Sequence, residues 1–176
     1  MIDKPLDQKI IIITGAAGLL GRQHAEAVAA AGAHPVLLDL HSKPLREMAG
    51  QLKNDYGIHP LPLAADITHK PALEKCLATI LKMHGHIDGL INNAANNPKM
   101  EAGADTGWLR FENLPLEIWE QDLAVGLTGA FLCAQVFGSA MAKAGGGAIV
   151  NIASDLSLIG PDQRLYQQPG LAEDQQ

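Results

Sequence analysis

Aromatic side chains are scarce. The chain has three Phe, two Trp and two Tyr among 176 residues, so any core it builds must be aliphatic. Cysteine is as rare, with Cys76 and Cys133 alone. Each sits in an apolar helical pattern, and neither has a Cys or His neighbour at metal-ligand spacing. This excludes a disulfide scaffold and suits buried free thiols in a reducing cytosol. Charged residues are 18% of the chain, the net charge is −6, and there is no long basic run. A nucleic-acid or anionic-membrane partner is therefore not expected. No uninterrupted apolar run approaches the ~20 residues that span a bilayer. The stretch from Ile10 to Gly21 holds three glycines, and Asp3 and Asp7 offset Lys4 and Lys9 before it, unlike a secretory signal. A cytoplasmic location is the expectation. No internal repeat occurs, and no metal set is found. His84-Gly85-His86 supplies too few ligands at defined spacing and reads as a solvated helix end.

Hydrophobic residues make up 47% of the chain, with 18 Gly. That suits one α/β domain. Short β-branched or apolar runs at Ile10–Ile13, Pro35–Leu38, Leu61–Ala65, Ile87–Ile91 and Ala148–Ile152 read as buried strands. Between them lie helical patterns. Gln23–Ala31 is Ala-rich, and Leu45, Met48, Ala49 and Leu52 share one face. Leu73, Leu77, Ile80 and Leu81 share another. Pro115 to Lys143 forms a long helix with Trp119, Leu123, Leu127, Phe131 and Ala134 along one stripe. Residues 96–113 form a polar loop of a length that is often functional. Strands alternating with helices predict βαβ units and a parallel sheet. After Ala153 the apolar periodicity stops.

The strongest local signal is TGAAGLLG, Thr14–Gly21, placed after a strand and opening a helix. Gly15 permits the tight turn, Gly18 lets the backbone approach a pyrophosphate, and Gly21 allows close helix packing. The helix N-terminus offers unpaired N–H groups and partial positive charge to phosphates. Asp39 ends the second strand, 18 residues after Gly21. An acidic residue there accepts hydrogen bonds from an adenosine ribose and repels a 2′-phosphate, favouring NAD over NADP. Arg22 beside the turn is the opposing feature.

These segments, with Asp66-Ile67-Thr68, IDGLINNAA (87–95), LTGAFLCAQ (127–135) and IVNIAS (149–154), resemble the short-chain dehydrogenase/reductase family in order and spacing. The resemblance implies an α/β, Rossmann-like, doubly wound parallel sheet with helices on both faces. It implies an NAD(P)-dependent oxidoreductase that moves hydride to or from a small alcohol or carbonyl substrate, with a sugar or polyol derivative as one option. Thr14, Gly15, Ala17, Gly18, Leu19, Leu20 and Gly21 would surround the cofactor's phosphates. Asp39 and Leu40 would meet the ribose, and Asp66 and Ile67 the adenine. Asn93, Ala94 and Ala95 would border the cofactor at the end of the fourth strand. Asn92 before them would tie strands together. Ser154 would be the catalytic serine. Intact family members often form homo-oligomers.

Three features depart from the family pattern. The glycine turn is TGxxGxxG, with Leu19 where a Gly is common. This spacing also occurs in sugar-nucleotide epimerase and dehydratase relatives. Gly126 stands where the family's helical Asn precedes LTG. Its backbone carbonyl can hold a water, or the glycine can serve close packing. The Tyr-x-x-x-Lys pair is absent. Tyr166 lies 12 residues after Ser154, but Gly170 follows four residues later, Pro169 intervenes, and Lys143 is the last lysine. A helix through 166–170 is disfavoured, and Tyr166 reads as a loop residue rather than the base. The expectation is an N-terminal portion of a longer enzyme, inactive alone and incomplete at the C-terminal side of its sheet. Residues 1–160 would form the NAD(P)-binding domain and 161–176 a polar loop or disordered tail. Some 70–100 further residues would complete the fold, from usual element lengths (roughly). The competing reading is a non-catalytic dinucleotide-binding module.

Overall fold

The computed structural model describes residues 4–96, 111–154, 158–160 and 170. Five strands form one parallel sheet in the order β3-β2-β1-β4-β5. They are β1 (Ile10–Thr14), β2 (His34–Asp39), β3 (Leu61–Ala64), β4 (Gly89–Asn92) and β5 (Ala148–Asn151). The register sets Ile12 beside Val36 on one side and Leu90 on the other. The chain winds outward from β1 to β3, then crosses to β4 on the other side of β1. The crevice at the carboxyl ends of β1 and β4 is therefore a topological switch point, the place where such sheets bind ligands.

Alternation along the strands builds two apolar layers. On one face, Ile11, Ile13 and Leu37 pack against α1 (Leu19–Ala30) and α2 (Ser42–Tyr56) through Ala25, Val28, Leu45, Met48 and Leu52. On the other, Ile10, Ile12, Val36, Leu38 and Leu90 meet α3 (Lys70–His84) and the long helix α4 (Leu116–Lys143) through Leu73, Ile80, Cys133 and Phe137. Phe137 is the one aromatic side chain in either layer among the described residues. Helices α2 and α3 stop at Gly57 and Gly85, each with positive φ and an N–H returned to the helix; such left-handed termini favour glycine.

The apolar stripe on α4 faces outward. Trp119, Leu127 and Phe131 are 51%, 65% and 58% exposed, whereas Cys133, Phe137 and Met141 are buried. Two residues advance a helix by about 200°, so the row through 131 and the row through 133 lie on opposite sides. Contact with α3 and the sheet selects the second row. Two stretches of α4, Ala124–Gly129 and Ala134–Gly138, are π-helical. By length and composition α4 could also cross a membrane, which amends the expectation drawn from uninterrupted runs. Its Leu, Val, Phe and Ala residues give it that apolar character, and its inward row packs on this domain's own sheet. Among the described residues, β5 pairs only with β4 and its four residues are exposed.

Candidate functional site

The turn after β1 is built for backbone proximity. Gly15 has φ +63°, and a Cβ on it would stand 2.9 Å from Ala94 Cα. The Gly18 N–H donates to the Gly15 carbonyl at 3.0 Å. A Cβ on Gly21 would strike the Gly15 carbonyl oxygen and come within 2.8 Å of Ala16 Cα. Helix α1 then starts at Leu19, four residues before the expected Gln23. Leu19 and Leu20 are apolar yet exposed, so hydrophobic periodicity does not mark that first turn. Its N-cap is Gly18, with no side-chain cap and no acidic residue in the first turn. The first N–H groups thus keep their capacity for an anion. A glycine cradle before an uncapped helix fits the pyrophosphate of a dinucleotide.

Residues from β4 hold this turn. Thr14 is 1% exposed. Its Oγ1 accepts the N–H groups of Asn93 and Ala94, both at 3.0 Å, and donates to the Ile91 carbonyl at 3.4 Å. Asn93 Nδ2 donates to the carbonyls of Thr14 at 2.9 Å and Gly15 at 3.3 Å. The Thr14 hydroxyl is therefore engaged inside the protein, where it ties β1 to β4. Asp39, half-buried at the end of β2, accepts the Ala17 N–H at 3.0 Å and the Leu40 N–H at 2.7 Å. Arg22 Nε donates to the Ala17 carbonyl at 3.1 Å, which folds the guanidinium back on the turn. Asp66 Oδ1 accepts both the N–H and the hydroxyl of Thr68, at 2.8 and 2.7 Å. The N-cap of α3 is His69, so Asp66 shapes the loop before the helix without capping it.

Around these groups runs a cleft of ≈580 Å³ lined by Gly15, Gly18, Leu19, Leu20, Asp39, Leu40, Asp66, Ile67, Asn93, Ala94 and Ala95. All of these are sequence-predicted cofactor residues. Thr14, Ala17 and Gly21, also predicted, are not among its lining residues. Ala65, Asn96 and Val125 complete the lining and were missed. Ala65 adjoins Asp66 at the end of β3, a positional hint, whereas Val125 arrives from α4 with no local signal.

A second cleft, of ≈600 Å³, shares Leu20, Asn93, Ala94 and Ala95 with the first. Its other walls are Asn92, Gly126, Leu127, Ala130, Phe131, Ala134 and residues 151–154. Ser154 therefore faces the same space as Gly126, just beyond β5. Asn92 is 6% exposed. Its Nδ2 donates to Asn151 Oδ1 at 2.9 Å and to the Ala130 carbonyl at 3.3 Å, tying β4 to β5 and to α4. Tyr166 and most of the polar loop lie outside the described residues.

Neither cysteine lines either cleft. Burial and the nearby Cys76 push the Cys133 thiol up to about 12, and burial also raises Cys76. Neither thiol is suited to nucleophilic work. Among the described residues no group of three or more metal-ligating side chains occurs. His86 pairs with Asp88 at 3.0 Å before the start of β4, at the end of the sheet opposite the clefts. There Asp88 also accepts Lys9 Nζ and the Ile10 N–H, both at 2.9 Å.

Residues 9–166 match the family model described as short chain dehydrogenase. The chain is 36% identical over 163 residues to the NAD-dependent glycerol dehydrogenase of Listeria innocua, covering 93% of this chain and 59% of that protein. It is 34% identical over 163 residues to the D-threitol dehydrogenase of Mycolicibacterium smegmatis, with the same coverage of 93% and 59%. The structure of an NAD+-bound xylitol dehydrogenase superposes with a TM-score of 0.80 at 25% identity, over 90% of this chain and 57% of that one. The chain thus spans about three-fifths of the length of these relatives.

Proposed function

Because this chain belongs to the short-chain dehydrogenase family, we propose that it is the dinucleotide-binding portion of an NAD(H)-linked polyol dehydrogenase. The observation that carries this reading is the pair of adjoining clefts. One holds the glycine turn and Asp39, the other holds Ser154, and they share Leu20 and residues 93–95. NAD supplies the hydride acceptor when bound. The α1 N-terminus would hold its pyrophosphate, Asp39 its ribose hydroxyls, and Asp66 with Ile67 its adenine. The Ser154 hydroxyl would hydrogen-bond the substrate oxygen that becomes carbonyl or alcohol. Glycerol, threitol and xylitol name the relatives' substrates, so a short linear polyol is the proposed class. The proposed setting is cytoplasmic, and the complete enzyme would be a homo-oligomer.

The competing reading is a non-catalytic dinucleotide-binding module, which would bind the cofactor but no polyol. The test has two stages. Titration with NAD+ and NADP+ should give NAD+ tighter by at least about tenfold, or ~1.4 kcal/mol, and Asp39→Ser should erase that preference. Equal affinity for the two would refute the role of Asp39, and no binding of either would refute the reading. Binding of glycerol, D-threitol and xylitol to the NAD+-saturated chain then separates the two readings: the enzyme portion should bind a polyol, the module should not.

A further inference from the structure

We propose that Gly126 is a specificity-determining residue, whose missing side chain leaves room beside Ser154 for a second hydroxyl-bearing arm of a small polyol. The proposal rests on the reading of the second cleft as the substrate site. Glycine is a poor helix former, second only to proline, and α4 contains three within its length: Gly126, Gly129 and Gly138. Two have a packing reason. A Cβ on Gly129 would stand 2.6 Å from Ile67 Cδ1, and one on Gly138 would stand 3.1 Å from Ile149 Cδ1. At Gly126 a Cβ would meet nothing within 4 Å among the described residues. Its φ is not positive, so backbone conformation does not require glycine either. Close packing, one of the two uses the sequence allowed for this residue, therefore has no partner here among the described residues.

Among the described residues, Gly126 borders open space. It lines the second cleft together with Asn151 and Ser154, with Leu127 and Phe131 alongside. It also falls within the π-helical stretch Ala124–Gly129, and such wide turns are frequent at functional sites. A bare peptide lets a ligand approach the helix backbone, which offers hydrogen-bonding groups where a side chain would stand. Asn151, whose Oδ1 accepts from Asn92, and Ser154 line the cleft from the strand side. Leu127 and Phe131 offer apolar surface to a carbon backbone. A compact chain bearing several hydroxyls matches this mixture.

The experiment compares the parent chain with Gly126→Ala and Gly126→Leu. Three readouts are taken: the melting temperature, NAD+ affinity, and binding of glycerol, D-threitol and xylitol to the NAD+-saturated chain by calorimetry or saturation-transfer NMR. The expected result is that Gly126→Ala melts no lower than the parent and both variants keep their NAD+ affinity. Polyol affinity should fall at least about tenfold in Gly126→Leu and less in Gly126→Ala. Unchanged polyol binding in Gly126→Leu overturns the proposal. So does a lower melting temperature for Gly126→Ala, which would reveal a packing role. A parent chain that binds NAD+ but no polyol overturns the proposal and leaves the dinucleotide reading standing. A parent that binds neither overturns both.

Discussion

A methyl group placed on Gly21 has nowhere to go. It would overlap the Gly15 carbonyl oxygen and stand 2.8 Å from Ala16 Cα and the Gly15 carbonyl carbon. These are backbone atoms of the turn itself, so relief requires the turn and the first turn of α1 to separate. Forcing a methyl group into a packed site costs about 1–3 kcal/mol, and immovable backbone places this case at the top of the range. Gly21 is helical, within Leu19–Ala30, so alanine also gains about 1 kcal/mol of helix propensity. The balance is a loss of about 2 kcal/mol, or about 4–8 °C in melting temperature for a domain of this size. Because the displaced atoms form the phosphate cradle, NAD+ affinity should fall with stability, by more than about tenfold. Gly50→Ala is the matched control. Gly50 is an exposed residue of α2, and a Cβ there meets nothing within 4 Å. It should gain about 1 kcal/mol and leave NAD+ binding untouched. Differential scanning fluorimetry and NAD+ titration on the two variants suffice. If Gly21→Ala melts with the parent and binds NAD+ as well, the account of the turn is wrong.

Three further perturbations test the supports of the site and the opposite end of the sheet. Thr14→Val keeps the shape but strands the N–H groups of Asn93 and Ala94, which now share Oγ1. At about 1–3 kcal/mol for an unsatisfied buried group, urea midpoints should show a loss of at least about 2 kcal/mol, and Thr14→Ser should restore most of it. Equal midpoints for Val and Ser would refute the tie. The His84 pKa is lowered by burial first and then by His34 and His86. The unfolded chain therefore takes up that proton more readily, and stability is full above the ordinary histidine value of about 6.5 and lost as pH falls below it. Melting at about pH 5.5 should lie below that at about pH 7.5, and His84→Gln should flatten the slope. An unchanged slope in the variant would remove His84 from the explanation. Asp88 acts in the carboxylate range. Burial raises its pKa, but the Ile10 N–H, Lys9 and His86 together outweigh this and hold it low. Its contribution is present above about 3.9 and lost as pH falls through its folded value; Asp88→Asn should lessen that acid loss in a pH series of melts.

Much of the site was legible because its parts are local. The glycine turn, the strand before it and Asp39 at the next strand end follow from spacing and residue type alone. The five strands were placed to within a residue or two, since short aliphatic runs bounded by Gly, Pro and Asn have few other uses. Legibility failed where a residue's role depends on a distant neighbour. Thr14 reads as part of the phosphate turn, but its hydroxyl is engaged by residues 79 and 80 positions away. Val125 joins the first cleft from a helix whose periodicity says nothing of that approach. The stripe of Trp119, Leu127 and Phe131 is as apolar as the row through Cys133 and Phe137, and periodicity alone does not say which is buried.

The amino-acid order by itself determined the βαβ units, the aliphatic core, the phosphate turn and the family, because each is written in contiguous residues or fixed short spacings. The tertiary structure alone decided which face of α4 meets the sheet, that Gly129 packs against Ile67 while Gly126 has no such neighbour among the described residues, and that two clefts adjoin at the ends of β1 and β4. The physical reason is that these facts are distances between elements. The parallel register of Ile12 with Val36 and Leu90 and the crossover from β3 to β4 set them, and no local pattern encodes either.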